Sequence, residues 1–293
     1  MAESSIPVDL FNPGQVFACL GFLEAADVLC GDAEGGFDWS DETAVKFCLQ
    51  VNCAENPFKV VLKFLANTRL RRWGPVGYSE PSSKARERSK TEKEKGLELR
   101  STFPAAEATK TALPICFNGA NGSAVELGHW ADGSSRNDFK LYSGNRSAYQ
   151  IAGAMLRGDG KKTKGIAQLW AERQNDLIER PLDITMPMSG SFNFDPRGGW
   201  TAIDTGYSPN DQKHKIVASP VVELLAAWGL ENARPHEYQT RKVRYSVWGI
   251  YLPPMLARAA LFGGVATIPT QRFHFDLHLS GKNKIVTFAE QEI

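Results

Sequence analysis

No two cysteines in this sequence stand two residues apart, which argues against a zinc ribbon or a thioredoxin-type redox site. The five that occur, Cys19, Cys30, Cys48, Cys53 and Cys116, are unevenly spaced in apolar surroundings and read as reduced, mostly buried thiols. There is no GxxxxGK[ST] loop, no GxGxxG after a strand and no GxSxG elbow. The sequence marks of P-loop nucleotide enzymes, dinucleotide enzymes and α/β-hydrolases are therefore missing. Charge bias is also missing: the formal net charge is +1, so any nucleic-acid site must come from local clusters of Lys and Arg. The start, MAESSIPVDL, lacks a basic segment followed by an apolar one, so no secretory signal is expected. Apolar runs are broken by charges or glycines short of the ~20 residues that a membrane span needs. The expectation is a cytoplasmic protein that does not enter a membrane.

What is present suits a large hydrophobic core. The 293 residues are 42% hydrophobic and 23% charged, the proportions of an ordinary globular chain. Ile6 to Leu10 reads as a strand, and Asn12-Pro13 as the cap and first residue of a helix that Gly31 ends. Ala44 to Val51 reads as a strand, Pro57 to Leu65 as a helix, and Leu113 to Phe117 and Asp138 to Tyr142 as strands. Helices are expected over 146–156, 166–178, 221–230 and 254–261, with a strong strand over 243–251. From Phe273 to Leu279 apolar residues alternate strictly with His274, Asp276 and His278, a strand with one buried face, followed by a hairpin return over 285–288. This order predicts a single α+β domain over 1–293 with an antiparallel sheet backed by helices. Residues 69–112 stand apart as a flexible basic insertion, because Arg69 to Arg100 holds ten basic and five acidic residues with little apolar pattern.

Three basic clusters each have aromatic neighbours: Arg69, Arg71 and Arg72 with Trp73; Arg157, Lys161, Lys162 and Lys164; and Arg241, Lys242 and Arg244. Cations for the backbone and rings for the bases are what single-stranded nucleic acid requires. The stretch FNFDPRGGWTAIDTGYSPND, residues 192–211, reads as the end of a strand and a double turn. Asp195 would cap the first turn and the glycines would supply positive φ, presenting Arg197, Trp200 and Tyr207 at a binding surface. Its acids leave a second reading open, a metal-dependent nuclease using Asp195, Asp204 and Asp211 with His274 and Asp276. Neighbouring residues on one strand face lie about 6.5–7 Å apart, so His274 and His278 are too distant to share an ion, and a polar sheet face is the better reading.

Four segments taken together carry a family resemblance: VDLFNPGQVFACLGFLEAAD (8–27), FDPRGGWTAIDTGYSPND (194–211), SPVVELLAAWGLENARP (219–235) and FHFDLHLSGKNKIVTFAEQ (273–291). The set resembles a protein family of CRISPR–Cas loci of subtype I-G, formerly I-U, whose members are regarded as subunits of, or accessories to, the effector ribonucleoprotein. The resemblance implies binding of CRISPR RNA or target DNA, or assembly with other effector subunits as in Cascade complexes. It also implies the RAMP version of the ferredoxin-like fold, whose glycine-rich loop has its nearest counterpart in Phe262-Gly263-Gly264-Val265. The resulting expectation is a non-catalytic subunit without cofactor or metal. Its nucleic-acid contacts would be Arg69, Arg71, Arg72, Trp73, Arg157, Lys161, Lys162, Lys164, Arg197, Trp200, Tyr207, Arg241 and Arg244. A purely structural assembly subunit is the remaining alternative.

Overall fold

The structure is a computed structural model that describes residues 1–78, 96–100, 113–120, 122–131, 139–142, 146–160, 163–188, 190–199, 217–280 and 283–292. Its centre is helix α1 (Pro13–Cys30). Asn12 caps it by accepting from the Gln15 amide at 3.1 Å, and Gly31 ends it at φ 78°. Every residue from Pro13 to Ala26 is buried, which is why the helix is apolar on all sides. By length and hydropathy α1 could cross a membrane, contrary to the expectation that every apolar run is too short, yet 78% of it lies inside the fold. Its single buried charge, Glu24, is held by Arg258 across 234 residues, with nitrogen–oxygen distances of 2.5 and 2.6 Å.

Three strands pack on one side: β1 (Ala2–Pro7), β2 (Glu34–Asp38) and β3 (Lys46–Val51), in the order β1-β3-β2, all antiparallel. Helix α2 (Pro57–Asn67) follows, capped by Asn56. A second sheet is mixed and has the order β5-β4-β6-β7. It is built from β4 (Arg69–Pro75), β5 (Leu97–Arg100), β6 (Ile115–Asn118) and β7 (Ala124–Leu127). The expected basic insertion over 69–112 therefore opens as sheet rather than loop, with Arg69–Pro75 and Leu97–Arg100 as strands paired in parallel. Charge hid the pattern. Leu70 and Arg72 turn to one side and Arg69 and Arg71 to the other, so the alternation has no apolar signature. The remainder of that segment, 79–95 and 101–112, lies outside the described residues.

Helices α3 (Ala148–Arg157), α4 (Ile166–Glu172) and α5 (Gln174–Glu179) come next. Ser147 and Gln150 cap α3 reciprocally. The single helix expected over 166–178 is divided at Arg173, whose φ of −140° and ψ of 46° are not helical. The strand expected at 138–142 does not form over 139–142, where Phe139 takes φ 60°. A short pair, β8 (Met186–Pro187) and β9 (Val217–Ala218), precedes helix α6 (Pro220–Gly229), capped by Ser219 and buried along its whole length. Helices α1 and α6 cross with backbones in contact. A Cβ on Gly21 would lie 1.9 Å from the Leu225 carbonyl oxygen, and one on Gly229 would lie 2.4 Å from that of Phe17.

The last sheet holds β10 (His236–Gln239), β11 (Lys242–Trp248), β12 (Thr270–Ser280), β13 (Asn283–Val286) and β14 (Glu290–Glu292). Its order is β10-β11-β12, with β13 and β14 both pairing to β12. Helix α7 (Pro254–Phe262) joins β11 to β12 and stops at Gly263, whose φ is 86°. The glycines of Phe262-Gly263-Gly264-Val265 thus begin as a helix cap. Phe273, Phe275 and Leu277 are buried as expected, whereas Leu279 on the same expected face is exposed near the strand end. Phe17 of α1 packs on Tyr245 and Phe275 with ring centroids 5.7 and 6.2 Å away. The whole is an α+β fold of antiparallel and mixed sheets backed by helices, as the sequence predicts. The five cysteines are free thiols, with Cys19 and Cys116 buried.

Candidate nucleic-acid interface

The stretch that begins FNFDPRGG is a buried clasp. Phe192 and Phe194 form no strand in the described residues; both are buried, and their amides point at one carboxyl group. Glu223, in the first turn of α6, accepts from the amides of Phe192 (2.8 Å), Phe194 (3.1 Å) and Asp195 (2.8 Å). Burial, with the Asp195 charge adding to it, pushes the Glu223 carboxyl up to about 7. Asp195 in turn accepts from the Ser219 amide at 2.9 Å and from the Asn12 side chain at 3.3 Å. Asn12 and Ser219 are the N-caps of α1 and α6, so one carboxylate ties the starts of both helices together.

This corrects the expected role of Arg197. Its guanidinium does not stand out at a binding surface. It folds back on Asp195, with Nε–Oδ1 at 2.8 Å, and donates to the Leu182 carbonyl at 2.9 Å. Asp195 does cap the turn, accepting from the Arg197 amide at 3.2 Å. The expected positive φ is not found: Gly199 has φ −97° and is small for another reason, since a Cβ there would meet Ile285 at 2.3 Å. Trp200, Tyr207, Asp204 and Asp211 lie outside the described residues. Among the described residues no three His, Cys, Asp or Glu side chains converge as metal ligands, and the oxygens of Asp195 are already engaged.

The first basic cluster lies on the mixed sheet. Strand register puts Arg69, Arg71 and Trp73 on one face with Glu98, Arg100, Cys116 and Glu126. Arg71 pairs with Glu98, and Arg100 pairs with Glu126 at 2.9 Å while its guanidinium covers the Trp73 ring at 3.1 Å from the centroid. Trp73 is accordingly only 9% exposed, with its face taken by a cation of the same chain. Arg72 points the other way and is buried, 5.2 Å from the Tyr149 ring. Neither is placed as an open nucleic-acid contact, because β4 alternates and Arg100 returns on β5 above Trp73. Arg100 itself was not singled out in the sequence, and only its parallel pairing reveals it.

The second cluster joins the first. Arg157, in the last turn of α3, donates to the Thr68 carbonyl at 2.7 Å, beside exposed Arg69. Arg69 has no ion-pair partner among the described residues. Beyond Arg157, Gly158 and Gly160 take φ 73° and 71°, and Asp159 accepts from the Thr163 amide at 3.0 Å. Lys164 pairs with Glu172, and Lys161 and Lys162 lie outside the described residues.

The third cluster sits elsewhere, on the terminal sheet. Arg244 faces outward between His236 and His274 in register, bonded through Nε to Glu292 at 2.6 Å. His274 lies 3.7 Å from Glu290 and 3.9 Å from Glu292. The expected polar face of β12 is therefore present, carrying His274, Asp276 and His278. Arg241 is exposed at the β10–β11 turn with φ 62°. No family model, curated protein or solved structure matches this chain.

Proposed function

We propose that this protein is a non-catalytic nucleic-acid-binding subunit of a type I CRISPR–Cas effector ribonucleoprotein, contacting CRISPR RNA or target DNA. The observation that carries this reading is the hydrogen bond from Arg157 to the Thr68 carbonyl, one residue before exposed Arg69. It brings Arg157, the last residue of α3 and the neighbour of positive-φ Gly158, to the start of the strand that carries the first cluster. Cations at the start of a strand and at the adjoining helix end suit a phosphodiester backbone. The resemblance of four segments to the subtype I-G family supports the same reading. So does the strand order β1-β3-β2, with α1 between β1 and β2 and α2 leaving β3, which corresponds to three strands of a ferredoxin-like unit. The fourth would be β4, which instead founds the mixed sheet.

Several of the cations are already neutralised by Glu98, Glu126 and Glu172, so a phosphate must displace a carboxylate at each. The expected consequence is strong salt dependence, with log K falling by about 0.7 per neutralised phosphate per decade of salt on single strands. In filter-binding titrations, the double variant Arg69→Glu, Arg157→Glu should lose affinity by about tenfold or more, in the range of removing 1–2 phosphate contacts. Its melting temperature should stay within a few degrees of the parent. The absence of RNA or DNA affinity at low salt, alone and with partner subunits, sinks the proposal.

A further inference from the structure

At the free edge of the terminal sheet, three rings and a guanidinium form a row on the surface. Phe262 lies 5.2 Å from His236, His236 lies 6.3 Å from Tyr238, and Arg244 covers Tyr238 at 4.4 Å from the ring centroid. Phe262 closes α7, His236 and Tyr238 belong to edge strand β10, and Arg244 to its neighbour β11, so three elements converge to build the row. Rings normally belong in the core, yet Phe262 is 52% exposed and Tyr238 37% exposed. Arg244 takes one face of Tyr238, and the exposed parts of Tyr238 and Phe262 are what a planar group can reach.

The surroundings of the row are polarised. The β10–β11 turn carries Arg241 and Lys242, both exposed and without an ion-pair partner among the described residues. Glu237, the acid of that edge, is turned to the turn's backbone and accepts from the Arg241 amide at 2.8 Å. The other acids, Asp276, Glu290 and Glu292, stand on β12 and β14, on the far side of β11. The rings and the exposed Arg241 and Lys242 thus share one edge of the face, while Asp276 stands opposite Lys242 on the neighbouring strand and Glu292 reaches across to bond Arg244 of the row.

We infer that the row Phe262-His236-Tyr238, with Arg241 and Lys242, is a stacking site for the bases of single-stranded nucleic acid, separate from the Arg69–Arg157 surface. Stacking is tolerant of sequence because every base has a π-face, whereas bases inside a duplex are already stacked and cannot reach the rings. The cations beside the row then meet the phosphates of the same nucleotides. The inference rests on the nucleic-acid reading and adds strandedness and a second contact to it.

The test is fluorescence anisotropy with labelled single-stranded RNA and DNA of mixed sequence and with their duplexes, using the full chain. The parent is expected to prefer single strands. Tyr238→Ala and Phe262→Ala should each weaken single-strand binding by about five- to hundredfold, the range for losing one stacked base, and leave duplex binding unchanged. Tyr238→Phe keeps the ring and should bind like the parent. Arg69→Glu with Arg157→Glu should weaken both forms alike. Unchanged single-strand affinity in the Tyr238→Ala, Phe262→Ala double variant overturns the stacking site while leaving the general reading intact. Binding of neither form by the parent overturns both.

Discussion

Replacing Glu223 by alanine is expected to cost about 3–5 kcal/mol of folding stability, the scale for breaking a buried polar network from one side. The amides of Phe192, Phe194 and Asp195 would lose their acceptor in a place that water does not reach. The loss would spread, because those amides position Asp195, and Asp195 holds the caps of α1 and α6. A urea titration with an unchanged m-value would read it as a lowered midpoint. A cost below about 1 kcal/mol would show that the clasp carries little.

The same carboxyl sets a pH dependence. Its folded-state value is raised from 4.5 to about 7, so the folded protein holds the proton more tightly than the unfolded chain. Stability from this group is complete below pH 4.5 and is lost as pH rises to about 7. The full loss is roughly 3 kcal/mol, at 1.36 kcal/mol per unit. Glu223→Gln, which has no proton to lose, should flatten the stability curve between those limits. An identical slope in parent and variant would remove Glu223 as the cause.

Gly21→Val is expected to be the most damaging single change outside the clasp. Even the first atom of the new side chain would sit 1.9 Å from the Leu225 carbonyl oxygen, and the obstruction is backbone on a buried helix rather than a movable side chain. Overpacking of cores costs about 1–3 kcal/mol when side chains can yield, and here the two helices must part, so a loss above 3 kcal/mol or failure to fold is expected. Gly153→Ala is the control. It lies inside α3 with its nearest neighbour, Leu70 Cδ2, at 3.8 Å, and alanine there should gain about 0.5–1 kcal/mol through helix propensity. Thermal melts that rank Gly21→Val beside the parent would refute the close crossing.

Much of the fold was legible because its signals are local. Asn12-Pro13 and Gly31 announce the two ends of α1, and the cap hydrogen bond and the φ value that realise them are set within a few residues. The alternation at 273–277 announces β12, since period two and burial coincide there. Where charge or neighbouring structure interferes, the local signal fails. Strand β4 hid behind its arginines, and the helix over 166–178 gave no sign of its break at Arg173. Asp195 was legible as a turn cap, but the direction of Arg197 was not, because it depends on a carboxylate and a Leu182 carbonyl brought together by packing.

By itself, then, the sequence determined the kinds and approximate bounds of most elements, the α+β class and an apolar helix that must be enclosed. Tertiary structure alone decided which charges remain for a partner. It spent Arg197 on Asp195, Arg244 on Glu292 and Arg100 on Trp73, and it joined Arg157 to the strand that begins at Arg69. The physical reason is range. A cap or a strand face is settled by atoms a few bonds away, whereas an ion pair between residues tens or hundreds of positions apart exists only after the backbone has closed the distance.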